Sequence, residues 1–236
     1  MNVSSPAVTT MRKGITMIEI DNTYIYGWES AIRGMRNPMN SWDKSDTVFI
    51  PLNRCAYESM FELAQLCGGF APVINSNDLD LMKRLVKAGT DHSKFMRMIT
   101  VTCDLTAPLY WWKEYDTYKV GTVANSCSTM HKIQAKEFTL DDFSTEHLTG
   151  KSIAALKVVL EVMNLEREHF LATKDKDCWW QMIQLLPTSY NQKRTVQLNY
   201  AVLRNIYHSR RNHKLDEWHT FCHWIEGLPY SELITE

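Results

Sequence analysis

Phe95–Leu105 reads FMRMITVTCDL. β-Branched and apolar side chains dominate it and partly alternate, a pattern that suits a strand in the core of a sheet. Gly89 closes the segment before it and Pro108 follows it, so both flanks carry residues that break regular structure. A core strand here organises the reading on either side. Upstream, Ile15–Tyr26 (ITMIEIDNTYIY) has the same composition and reads as one or two strands. Gly27–Asp46 mixes a short helix with a loop at Pro38 and Asn40. Met60, Phe61, Leu63 and Ala64 are spaced helically within Ala56–Gln65, which Gly68–Gly69 stops. A second helix is predicted at Leu79–Ala88, capped by Asn77 or Asp78 and followed by Gly89.

Downstream, Pro108 opens Leu109–Tyr118, whose aromatics recur too densely for an exposed helix. Small residues fill Gly121–Thr129 (GTVANSCST), which reads as a tight turn, a close backbone approach or a ligand-contacting loop. The remainder is predicted helical: Ile153–Phe170, Asp177–Leu186 ending at Pro187, Arg194–Arg211, and Leu215–Ile225 ending at Gly227–Pro229. No repeat or linker divides the chain. The expectation is one α+β or α/β domain over residues 1–236, with 1–14 flexible and 150–226 mostly helical.

The 236 residues are long enough for one substantial core, and 44% hydrophobic with 22% charged residues argues against disorder. Lys plus Arg number 26 and Asp plus Glu 27, so no global field exists for gripping duplex DNA, while a small anion held by a few local cations is allowed. The start, MNVSSPAVTTMRKG, has no apolar run behind its basic residues, and no stretch approaches the roughly 18 apolar residues of a membrane span. Cys55, Cys67, Cys103, Cys127, Cys178 and Cys222 lie far apart without a CxxC pair, which suits free, mostly buried thiols in a reducing cytoplasm.

Neither a GxxxxGK[ST] loop nor a GxGxxG, HExxH or GxSxG motif is present. The nearest metal-like group is His213, His219, Cys222 and His223, but Trp218, Phe221 and Trp224 around it indicate packing, and no metal is expected. Ser126, Cys127 and Ser128 with His131 lack the third group that would orient a base for nucleophilic chemistry. Three polar stretches are more informative. Asn199-Tyr200-Ala201-Val202-Leu203-Arg204 offers an arginine fork suited to a phosphate monoester and an amide suited to a ring carbonyl or N–H. Lys193, Arg194, Arg210 and Arg211 extend that basic surface or form a solvated face. Lys113-Glu114-Tyr115-Asp116-Thr117-Tyr118-Lys119 offers carboxylates that burial would make exchange protons, and phenols that stack on a planar ring. The same residues would equally serve as structural ion pairs in an interface.

With these stretches in view, the chain resembles the flavin-dependent thymidylate synthases. Leu81–Gly89 (LMKRLVKAG) resembles the family's helix-glycine entry, Met96–Cys103 its strand, and Asn199–Arg204 its N-F-x-x-L-R helix. The resemblance spans about Leu79–Trp224. It implies an α+β fold of that type, with a mixed sheet and packed helices. It also implies a pyrimidine mononucleotide such as deoxyuridine monophosphate as ligand, methylation at the pyrimidine C5, FAD as hydride carrier, folate as carbon donor, and a homo-oligomer, a tetramer in the family. Within that resemblance Arg204 would hold the phosphate, with Tyr115, Tyr118 and Ser126 beside the substrate, and Asn199 and Glu114 would meet the flavin. Where the family shows its arginine-histidine-arginine signature, this sequence reads Glu114-Tyr115-Asp116-Thr117-Tyr118. An acidic Asp116 near a phosphate repels it. The alternatives are a binding or structural homo-oligomer that keeps the scaffold without the chemistry, or an aromatic-rich helical interaction domain.

Overall fold

The computed structural model describes residues 18–236, and the segment expected to be flexible, residues 1–14, lies outside them. Strand β1 (Glu19–Tyr26) leads into helix α1 (Trp28–Arg36), and a small ribbon follows from β2 (Val48–Pro51) and β3 (Phe70–Val73) with α2 (Glu58–Leu66) between them. Helix α3 (Ser76–Lys87) precedes β4 (Thr100–Pro108), which passes directly into α4 (Leu109–Tyr115). Then come β5 (Val123–Ser126), the one-turn α5 (Thr129–Lys132), and the long helices α6 (Gly150–Thr173) and α7 (Lys176–Leu185). Strand β6 (Asn191–Asn199) returns the chain to the sheet before α8 (Tyr200–Arg210), α9 (Asp216–Glu226) and α10 (Glu232–Thr235). The chain is α+β, as expected.

The main sheet has the order β1-β4-β6-β5, and every pairing in it is antiparallel, so it is not the mixed sheet the resemblance implied. Strand β4 occupies the centre because its pattern has a period of two: Val101, Cys103, Leu105 and Ala107 are buried on one face while the intervening residues stay partly accessible. The expected strand began at Phe95, but Phe95 and Met96 are adjacent and both buried, which a strand with one solvated face cannot achieve. They form a 3₁₀ turn instead.

The larger correction concerns Arg194–Arg211, predicted as one helix. Residues 191–199 form β6, paired with β4 in nine steps from Thr100↔Asn199 to Pro108↔Asn191. Val196 and Leu198 point into the core and Thr195 and Gln197 out of it; helical spacing begins only at Tyr200, with Leu203, Ile206 and Tyr207 buried. Asn199 marks the change. It keeps extended backbone angles, and its side chain accepts a hydrogen bond from the Val202 N–H as the N-cap of α8.

One continuous core fills the space between the sheet and helices α1, α3, α4, α8, α9 and α10, with Trp111, Trp112, Trp218 and Met82 almost fully enclosed. A separate cluster around Met163 and Met182 holds α6 and α7 to the segment Ile133–Phe143. Gly27, at φ +91°, turns β1 into α1 so closely that a Cβ there would lie 2.0 Å from the Met98 carbonyl oxygen. The first turn of α3 is not closed by Asn77 or Asp78 as expected; the Asp46 carboxylate accepts both their N–H groups. Asp78 is fully buried and accepts from Arg36 Nε, the Ser45 and Thr47 hydroxyls and the Asp46 and Thr47 N–H groups, tying α1 and the loop before β2 to α3. Among the described residues, no helix is long and apolar enough to cross a membrane.

Candidate functional site

The residues singled out in the sequence fall on two adjoining surfaces. The first is a rim around the end of α4, with Arg194 of β6 and Arg210 at the end of α8. Glu114 Oε2 accepts from Arg210 Nη1 at 2.6 Å and from Trp218 Nε1 at 3.3 Å, and His213 Nε2 lies 3.2 Å from it. Arg210 also donates from Nε to the Tyr118 hydroxyl at 2.8 Å, and its guanidinium sits 4.9 Å from the Trp218 ring centre. Beside this network, Arg194 pairs with Asp116 at 2.8 Å and lies 4.1 Å over the Trp112 ring. The two acids that stand where the resemblance called for arginines are thus neutralised by Arg194 and Arg210, which reach them from β6 and α8. Neither arginine forms the solvated face considered above.

Arg204 is engaged as well. Its guanidinium donates to the carbonyls of Ile234 at 3.0 Å and Glu236 at 3.1 Å, holding α10 against α8. Asn199 is committed to its cap, and its Nδ2 faces Gly121, where an added Cβ would approach within 3.1 Å. Tyr115 does not line a ring-binding space. It is 2% exposed, stacked on Trp111 with ring centres 5.2 Å apart, and burial pushes its phenol pKa up. The aromatics of α4 are core because they face Trp218 and Phe221 of α9. Tyr118 is only half-buried and keeps contact with the rim.

The second surface is a cleft of about 530 Å³ between the start of β6, the end of β5, α5 and the loop before α6. A volume in this range suits a small organic ligand. Ser126 ends β5 one residue before Cys127, the first residue of this stretch to line the cleft, and stands opposite Arg194 in the register. Ser128 caps α5 by accepting from Met130 N and His131 N, so it is not a free nucleophile. Lys132, Lys136 and Lys193 contribute the cations. Lys136 is tied to Asp142 and Lys193 lies 3.4 Å from Asp104, whereas Lys132 has no ion-pair partner among the described residues. Gln192 is held by donating to the Cys127 carbonyl and accepting from Arg194 Nε. Asn191 Oδ1, in contrast, is a buried acceptor without a donor. Burial, reinforced by Asp142, raises the Tyr190 phenol pKa, keeping it a neutral hydrogen-bond donor. Sequence reasoning missed Asn191, Lys132 and Lys136; only an unmatched polar atom in a concave place identifies them, and no spacing reveals that.

The histidine and cysteine group of α9 does not converge. His213 faces Glu114, His219 faces Asp216 at 3.4 Å, His223 faces Glu226 at 3.3 Å, and Cys222 is buried. Of the six thiols, Cys103 and Cys222 are buried and Cys127 is exposed.

No protein-family model and no curated protein matches the sequence. Solved structures do match. Thymidylate synthase X from Helicobacter pylori with FAD and dUMP has a TM-score of 0.60 at 13% identity, covering 92% of this chain and 96% of that one. A second structure of the H. pylori flavin-dependent enzyme, also complexed with FAD and dUMP, gives 0.58 at 12% identity over 92% and 97%. The UMP/dUMP methylase PolB from Streptomyces cacaoi, bound with 5-Br UMP, gives 0.56 at 13% identity over 95% of each chain. The chain therefore has the fold of the flavin-dependent thymidylate synthases, over nearly its whole length.

Proposed function

We propose that this chain binds a pyrimidine mononucleotide of the deoxyuridine or uridine monophosphate type in the cleft between β6, β5 and α5. The observation that carries the reading is a cleft lined by Asn191, whose buried Oδ1 has no donor, and by Lys132, which has no ion-pair partner among the described residues. A uracil ring offers an N–H donor that this oxygen lacks, and a phosphate monoester offers the anion that Lys132 lacks. The fold adds support, since the three similar structures are of proteins crystallised with dUMP or 5-Br UMP. A nucleotide reaching Arg204 instead would have to displace the Ile234 and Glu236 carbonyls.

A flavin-dependent reaction at the pyrimidine C5, with folate as carbon donor, is the second reading, favoured by the FAD in the two H. pylori structures. The rim at the end of α4 fits a flavin dinucleotide poorly. Arg194 and Arg210 are already matched to Asp116 and Glu114, and Arg204 to the carbonyls of α10, so a pyrophosphate would have to compete for each of them. Homo-oligomer assembly, a tetramer on the family pattern, accounts for the exposed apolar residues Val158, Val162 and Leu165 on one side of α6, and for Val120 and the first residue of β5, Val123. A cytoplasmic location agrees with six cysteines outside any disulfide.

Calorimetric titration with dUMP and UMP, with and without FAD, tests both readings. Heat with either nucleotide, lost in Asn191→Ala, supports the cleft. Silence with every pyrimidine nucleotide overturns it. A yellow protein with bound-flavin absorbance would favour the second reading, and a colourless one unchanged by added FAD would remove it.

A further inference from the structure

Helices α6 and α7 are joined by only two residues, Lys174 in the left-handed region at φ +62° and the N-cap Asp175. Their packing around Met163 and Met182 fixes which faces meet. On that seam, Glu166 and His169 stand one turn apart on α6, and Cys178 faces them from α7. One donor atom from each lies within 4.8 Å of the others, and among the described residues this is the one such group of three.

We propose that the α6–α7 hairpin carries a binding site for a thiophilic divalent metal ion, zinc in the first place, made by Glu166, His169 and Cys178. The donor set is a thiolate, an imidazole and a carboxylate, the three ligand types zinc combines in tetrahedral sites. Bonds of about 2.0–2.3 Å place neighbouring donors of a tetrahedral site roughly 3.3–3.8 Å apart, so side-chain rotations of about an ångström contract the existing triangle onto an ion. Both helices are held by packed residues, which gives the donors a rigid base that loops would not. Asp175 and Asp177, interleaved with Lys174 and Lys176, lie close to Cys178. Those carboxylates favour a cation and leave the fourth position to water or to one of themselves. Without metal, the thiol is held above its usual pKa by burial and then by its hydrogen bond to Glu166. Binding exchanges that proton, released to solvent, for the metal–sulfur bond. The sequence conceals this site because Glu166 and His169 belong to a helix that reads as merely amphipathic, and Cys178 belongs to another helix.

The site is independent of the nucleotide reading. Cobalt(II) titration of the full chain, stripped with chelator beforehand, tests it. One cobalt per chain should produce a thiolate-to-metal charge-transfer band in the near ultraviolet and intense tetrahedral d–d bands, both removed by zinc. Cys178→Ser should abolish the charge-transfer band, and His169→Gln should weaken affinity about tenfold or more. Cys127→Ser, which removes the exposed thiol, should leave the spectrum unchanged. Absence of the bands in the unaltered chain overturns the proposal, as does a charge-transfer band that survives Cys178→Ser in protein with unchanged circular dichroism.

Discussion

The rim at the end of α4 and the cleft beside α5 have similar ingredients and opposite states. Around the rim, Arg194 and Arg210 each meet an acceptor within the chain, as Arg204 does against α10, and Glu114 serves three donors at once. In the cleft, Lys132 has no ion-pair partner among the described residues and the buried Asn191 Oδ1 has no donor. A polar group that has its partner contributes to folding; one that lacks it is available to a ligand, at a cost to the free protein. The type of residue does not decide between these fates, since an arginine fork looks like a phosphate ligand wherever it stands.

The matched state is most complete at Asp78, so the largest effect is expected there. Asp78→Asn should cost about 3–5 kcal/mol in chemical denaturation, because Arg36 is left buried without its anion. Burial alone would raise the Asp78 pKa, but hydrogen bonds from Ser45, Thr47 and Arg36 outweigh it and hold the carboxyl below its usual range. A depressed folded pKa means stability that is present above the unfolded value of about 3.9 and lost as pH falls through the folded one. The unaltered chain should therefore lose stability on acidification below about pH 4 more steeply than the variant.

Glu114→Ala comes next, at about 1–2 kcal/mol allowing for its partial exposure, with nucleotide binding intact. Lost binding with undiminished stability would make the rim the ligand site after all. Asn191→Ala should behave in the opposite sense: about tenfold weaker dUMP binding, or ~1.4 kcal/mol, with stability unchanged or slightly raised because an unmatched buried acceptor is gone. Lys132→Ala gives the smallest effect, about fivefold in affinity at low salt and fading as ionic strength rises. An effect of Lys132 that does not depend on salt would place it away from the phosphate.

These differences also explain what could be read from the chain beforehand. Strand β4 was legible because its alternation is local, and α6, α7 and α9 because their apolar spacing is helical. The strand β6 was not, because Arg194–Asn199 runs without a break signal into a true helix, and only the long-range pairing with β4 decides its period. At the site, Glu114 and Tyr118 meet at Arg210, at the far end of α8 from Asn199, which faces Gly121, and the hydrogen bonds of all three end on groups within the chain. Tyr115 was misplaced because the same aromatic side chain serves a stacking surface or a core, and the choice rests with Trp218 and Phe221, distant in sequence.

The pairing of β4 with β6 has a bearing on how the molecule comes into being. During synthesis β4 leaves the ribosome long before β6 exists, and β1 is the one main-sheet partner already available to it. Leu233 and Ile234 seal the core later still, and the Tyr230 hydroxyl, bonded to Pro72 and Ile74, joins the α9–α10 connection to β3. A nascent chain halted before residue 228 would leave uncovered the faces of α8, α3 and α9 that meet α10, a surface suited to chaperone capture. Refolding from denaturant should be slow for a chain of this length, since its central strand waits for a neighbour so remote in sequence.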